Sequence, residues 1–167
     1  VSIGGLTTMT PMQMFAVALA YMIDADKIHE TPERAELVVV FGKMVERGEF
    51  SETGLADLIR FAFTQCAAMP VDTFLEQAAA ALTPMQKASI YINALDIMLS
   101  DGRVIESEQG LLKKIQDAFG LERSTVLAIR EVLYTKNDTR MFTSPEHPRN
   151  ALDSFLRIDY RPSSRTE

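Results

Sequence analysis

A chain of 167 residues falls within the range of one domain, long enough to bury roughly 68–70% of its unfolded surface and to fold without staples. At 47% apolar and 24% charged residues it is not a disordered chain, and its one cysteine excludes a disulfide framework and every multi-Cys zinc site. A formal net charge of −6 argues against a long phosphate-tracking surface, which needs clustered Lys and Arg. Two histidines, His29 and His147, leave little material for a His-based metal site or a Ser-His-Asp triad.

Residues 1–23 carry no charge, which raises the question of a leader or anchor. No basic segment precedes them, Gly4, Gly5, Pro11 and Gln13 interrupt the run, and the continuous apolar part, 14–23, is too short to cross a bilayer of about 30 Å. A chain beginning at Val1 leaves an earlier leader open; the expectation is a cytoplasmic protein with no transmembrane segment.

Eight glycines and seven prolines in 167 residues lie below the roughly 12% of average usage, so the elements are long. Thr10-Pro11-Met12-Gln13 and Thr83-Pro84-Met85-Gln86 both read as helix starts. The Thr oxygen takes an orphan N–H, Pro occupies the first helical position, and Gln reaches back to the cap's amide. Thr31-Pro32-Glu33 and Ser144-Pro145-Glu146 predict two further starts with an acid in the first turn. Between these signals the apolar residues follow the helical period: Phe15, Leu19, Met22 and Ile23; Leu37, Val38, Phe41 and Met44; Leu55, Leu58, Ile59, Ala62, Phe63 and Cys66; Phe74, Leu75, Ala78 and Leu82; Leu111, Leu112, Ile115 and Phe119; Val126, Ile129, Val132 and Leu133. No two-residue alternation is long enough for a strand. The expected fold is an all-α bundle of seven to eight helices.

In the helix expected over 83–100, Gln86, Ser89, Asn93, Asp96 and Ser100 fall on one narrow stripe and apolar residues cover nearly all the rest. Such a helix belongs at the centre, with its stripe facing water or a pseudo-equivalent helix.

The two Thr-Pro-Met-Gln segments suggest an internal repeat. Each is followed by an apolar helix and an acidic turn, Asp24, Asp26, Glu30 and Glu33 in the first copy, Asp101, Glu106 and Glu108 in the second. The chain then divides into one domain with repeats at about 10–70 and 71–135. The extension at 136–167 carries a short docking helix around Ala151, Leu152, Phe155, Leu156 and Ile158, and a frayed end from 161.

The second turn, Asp101-Gly102-Arg103-Val104 with Glu106 and Glu108, followed by a helix ending at Gly120-Leu121, resembles the TerB family of tellurite-resistance proteins over roughly residues 10–135. The first copy departs from that pattern: no Gly follows its acid, Lys27 intervenes, and the acid-to-Ile spacing is one residue shorter. The resemblance implies a compact helical fold and a non-enzymatic stress-response module with an acidic, metal-responsive surface.

Carboxylates are hard ligands suited to calcium or magnesium. The second turn matches half of an EF-hand loop, but Ile97 and Leu99 stand where ligands would be required, so it is not one. The candidate metal ligands are Asp96, Asp101, Glu106 and Glu108, joined by Asp24, Asp26, Glu30 and Glu33, with calcium, magnesium or zinc as the cation. The competing explanation is structural: Asp101-Gly102 ends a helix and the glutamates open the next. A protein partner is expected, with homo-oligomer formation and peripheral membrane association left open; a helix-turn-helix at 120–133 is opposed by the net charge. A purely structural or oligomerising adaptor is the alternative function. Cys66 lies on a stripe and is expected to be an inert buried hydrophobe. The nine methionines are expected to fill the core, His29 to lie on the surface, and no catalytic set of acid, base and nucleophile to assemble.

Overall fold

The computed structural model describes residues 8–25, 33–100 and 104–156, excluding the side chains of 33–36. Over these residues the chain forms α1 (Pro11–Ala25), α2 (Glu33–Glu46), α3 (Glu52–Ala68), α4 (Val71–Ala81), α5 (Pro84–Ser100), α6 (Glu106–Ala118) and α7 (Arg123–Asn137), then short 3-10 turns at Thr139–Phe142 and Pro148–Asn150. No strand occurs among the described residues.

Local chemistry sets the ends. Thr10 N–H donates to Gln13 Oε1 (2.8 Å) while Gln13 N–H donates to Thr10 Oγ1 (3.2 Å). Thr83 and Gln86 repeat the exchange at 2.9 and 3.2 Å. Both are complete capping boxes. Ser51 caps α3 by accepting from the Gly54 amide (3.0 Å). Helices α2 and α6 end in matching Schellman turns. Gly48 and Gly120 take positive φ (73° and 61°), and the next amides, of Glu49 and Leu121, reach back to the Met44 and Gln116 carbonyls.

The helices alternate in direction. Thr10, Met12 and Gln13 share a groove with Phe50, Gly54 and Leu58 at the starts of α1 and α3. At the other end of the same pair the Tyr21 hydroxyl donates to the Met69 carbonyl. Pro11, Met12 and Phe15 lie against Gln86, Ser89 and Ile90 at the start of α5. Tyr91 accepts from Arg130 (3.3 Å) and Asp96 pairs with Lys136, so α7 runs alongside α5 in the same sense. Helices α2, α4 and α6 return between them: Phe15 meets Phe41 edge-on at 5.1 Å, Tyr21 meets Phe74 at 5.4 Å, and Ser107 meets Ala25.

The centre is α1, not α5. Helix α1 packs on α2, α3, α4, α5 and α6 and buries Met14, Ala16, Val17, Ala18, Leu19, Ala20, Met22 and Ile23. A helix apolar on all sides is a core helix, and Ala16, Ala18 and Ala20 let its neighbours approach. The charge-free start of the chain is explained over 11–23 by this burial, and no described helix is long and apolar enough to cross a membrane. Helix α5 buries Ile90, Tyr91, Ala94, Leu95, Met98 and Leu99, while its stripe is exposed at Gln86, Ser89 and Ser100 and at Asp96 faces α7 rather than α1.

Two expectations for the C-terminal region give way. Ser144-Pro145-Glu146 opens no helix: His147 N–H closes a tight turn on the Ser144 carbonyl (3.0 Å) and the next helical turn begins at Pro148. Residues 151–156 are turn and irregular chain, with Leu152, Phe155 and Leu156 exposed, so no docking helix forms there. A segment this short, with its large apolar side chains left exposed, cannot meet the cost of nucleating a helix. Val38 and Val132, placed on apolar stripes, are also exposed, because β-branched residues at the stripe margins find no covering neighbour. The expected cap at Thr31-Pro32, the Asp101-Gly102 turn, Ile158 and the frayed end lie outside the described residues.

Leu95 is fully buried. Leu95→Ala is expected to lower the unfolding free energy by about 2–5 kcal/mol, read by urea denaturation; a loss under about 1 kcal/mol would contradict its core position.

Candidate functional site

The close of α1, with Asp24, and the start of α6, with Glu106 and Glu108, meet at one end of the bundle. Ser107, in the first turn of α6, donates its hydroxyl to the Ala25 carbonyl at 2.9 Å. That bond satisfies a terminal carbonyl of α1, which has no partner within its own helix, and ties the chain after Asp24 to the chain after Glu106.

Within this junction the acids differ. Glu106 and Asp24 are exposed. Glu108 is buried at 6% exposure, and its Oε2 accepts from the Ile105 amide (3.2 Å). Ile105 has no side-chain oxygen to return the bond, so this is the acidic half of a capping box. Its charge at the start of α6 is favoured by the helix dipole. Glu108 therefore supports the helix start whatever else it does.

Asp96 points elsewhere. Its two oxygens are taken by Lys136 and by Asn137 (2.9 Å), fastening α5 to α7. Partial burial opposes its charge, but the hydrogen bonds from Lys136 and Asn137 and the lysine's charge outweigh it and hold the carboxyl below its ordinary range. Of the expected ligands, the structure thus brings Asp24, Glu106 and Glu108 to one junction and places Asp96 in a separate ion pair. Asp26, Glu30 and Asp101, and the side chain of Glu33, lie outside the described residues, as does His29. Among the described residues no three His, Cys, Asp or Glu side chains converge to hold a metal ion.

Beside the junction, Cys66 is half-buried. Burial, with the charge of Asp24 adding to it, pushes its thiol up to about 12, and burial with the Cys66 charge pushes Tyr21 up to about 12. Both stay neutral: Cys66 packs, and Tyr21 keeps the hydrogen that it donates to the Met69 carbonyl.

Reading the sequence did not identify Ser107 as a link or Lys136 and Asn137 as partners of Asp96. These bonds span 82, 40 and 41 residues, and no local pattern encodes them. The Schellman and Ser51 caps, in contrast, carried a readable signal in Gly48, Gly120 and the serine before Glu52.

The family model described as tellurite resistance protein TerB matches residues 12–131. The chain belongs to the TerB family. Comparison with curated proteins and with solved structures finds no match. The TerB match spans α1 to α6 and most of α7, including the junction, and stops before the 3-10 turns. The all-helical architecture expected from the TerB resemblance is what the described residues adopt.

Two measurements probe this region of the TerB domain. At pH 8 a thiol near 12 is ionised in only about one molecule in 10⁴. Cys66 should therefore react with an aromatic disulfide reagent far more slowly in the native state than in denaturant; equal rates would disprove its shielding. Asp96, with its folded pKa depressed, adds stability above its unfolded value of about 3.9, and that contribution is lost as pH falls through the lower folded value. Asp96→Asn should therefore cost about 0.5–1 kcal/mol at pH 7, a range reduced for its partial exposure. The cost should shrink as pH falls below the unfolded value, read from denaturation curves across the acid range.

Proposed function

We propose that this TerB-family protein is a non-enzymatic stress-response module. Its acidic α1–α6 junction takes a divalent cation, a basic protein partner, or both. The observation that carries the reading is the Ser107–Ala25 bond, which draws two acidic chain segments together although like charges brought close repel. A cation or a basic surface offsets that repulsion. Asp24 and Glu106 are the exposed described carboxylates at hand, with Asp101, Asp26, Glu30 and Glu33 as the further donors the sequence supplies. A bound divalent ion would neutralise the face and add stability. Carboxylate and hydroxyl oxygens of this kind suit calcium or magnesium better than zinc.

Histidine chemistry offers no competing catalytic reading at His147. Its Nδ1 accepts from the Arg149 amide (3.2 Å) and its Nε2 lies 3.0 Å from Asp138 Oδ2. A general base needs a lone pair directed at a substrate.

A second reading, a helical adaptor that oligomerises, draws on apolar side chains left outside the core: Val39 on α2, and Phe142 and Leu152 after α7. An adaptor would gather such groups at its contact surface.

Thermal unfolding with and without millimolar calcium, magnesium or zinc tests the proposal. A site with a dissociation constant one-hundredth of the ion concentration gains about 2.7 kcal/mol. The gain should disappear in the Asp101→Asn, Glu106→Gln double variant, while Glu108→Gln mainly perturbs the start of α6. No shift with any of the ions would remove the cation reading. A protein that sediments as a stable oligomer, with no cation or basic-peptide binding, would favour the adaptor.

A further inference from the structure

The segment after α7 lies outside the TerB match and is held by a polar network centred on His147. Asp138, the C-cap of α7, carries Arg140 on Oδ1 (3.1 Å) and His147 Nε2 on Oδ2 (3.0 Å). On the opposite edge of the ring, Nδ1 accepts from the Arg149 amide at 3.2 Å and so caps the 3-10 turn Pro148–Asn150. Arg149 then extends its guanidinium to Glu131 (3.2 Å) and Thr135 (2.6 Å) on α7. It forms one wall of a cleft of about 510 Å³ completed by Met141, Asp153 and Leu156. Asn150 closes the loop on the Met141 and Ser144 carbonyls (2.8 and 3.0 Å).

This arrangement fixes the ring's chemistry. A carboxylate accepts only, so Nε2 must carry hydrogen; a backbone amide donates only, so Nδ1 must not. Both demands are met by one state, the neutral Nε2–H tautomer. Protonating Nδ1 sets an N–H against the Arg149 N–H. The ring's contact with Asp138 survives and gains charge, since the carboxylate, held below its ordinary range by the Arg140 hydrogen bond and by the charges of His147 and Arg140, stays ionised at mildly acid pH. The ring is only 13% exposed and Asp138 17%, so water does not readily replace the lost partner.

We propose that His147 is a proton-operated cap: neutral, it sits on Asp138 at the end of α7 and caps the Pro148–Asn150 turn, and protonated, it keeps Asp138 and gives up the Arg149 amide. The charged groups around the ring are Asp138 at the end of α7, Arg140 in the 3-10 turn next to it, and Arg149 in the capped turn; the Arg149 guanidinium is drawn away to Glu131 on α7. The loosening is confined to the extension, because no core helix contributes a side chain to the ring's two bonds.

Nitrogen-15 NMR on the whole chain tests the cap. At pH 8 the His147 ring should show hydrogen on Nε2 and a bare Nδ1. As pH falls through the His147 titration, the protection factor of the Arg149 amide should drop roughly fivefold, the factor given by one lost hydrogen bond. Amides of α1 and α5 should keep their protection. His147→Ala should hold the Arg149 amide at the lower, acid-state protection at every pH, and Asp138→Asn should keep the coupling. Hydrogen on Nδ1 at pH 8, or Arg149 protection that ignores the His147 titration, would overturn the proposal.

Discussion

Burying a helix on every side leaves its backbone ends as the remaining polar problem, and α1 is the helix on which the rest of this bundle depends. Five other helices lean on it. With no charge from Pro11 to Ile23, that stretch carries no charged group into the core, but the helix's first amides and last carbonyls still require partners. Gln13 and Thr10 supply them within the cap, and Ser107 supplies one from α6. Near the same end, the Tyr21 bond to Met69 ties the close of α3 to the helix. Each long-range bond fixes a neighbour's position as well as satisfying a group, so the placement of α3 and α6 is bound up with closing the ends of α1.

The information carried by the sequence divides by distance along the chain. Caps act between residues three apart, and the two Thr-Pro-Met-Gln boxes form as their side chains dictate. Stripes act between residues three or four apart, and Leu19, Phe41, Phe74, Leu95, Leu112 and Ile115 are all buried where the period placed them. The choice of α1 over α5 as the centre was less legible, because both are rich in apolar residues. The deciding feature was the run of small alanines at 16, 18 and 20, which admits close neighbours on more than one side. Ser144-Pro145 illustrates the converse. A cap and proline start a helix only where an apolar face comes next to offset nucleation, and Glu146, His147 and Arg149 supply none.

The candidate site was legible in its residue types and not in its partners. Asp96 and Glu108 both read as acids near a turn, yet one binds across to α7 and the other caps its own helix. Only the fold separates them. The TerB match, ending at 131, also marks a change in how the chain is held. Apolar stripes organise the helices before that point, whereas hydrogen bonds among Asp138, Arg140, His147, Arg149 and Asn150 organise the extension beyond α7. Polar networks of that kind are specific in geometry and modest in net energy.

The bond from Ser107 to Ala25 joins residues 82 positions apart. A contact that closes so long a loop loses chain entropy before it gains anything, and contacts of this separation slow folding. The acidic junction is therefore a property of the finished molecule. A nascent chain released before α6, or a fragment cut between α1 and α6, contains Asp24 but lacks the contact between Ser107 and Ala25. On the reading proposed here, a ligand of that surface would distinguish the whole protein from its fragments.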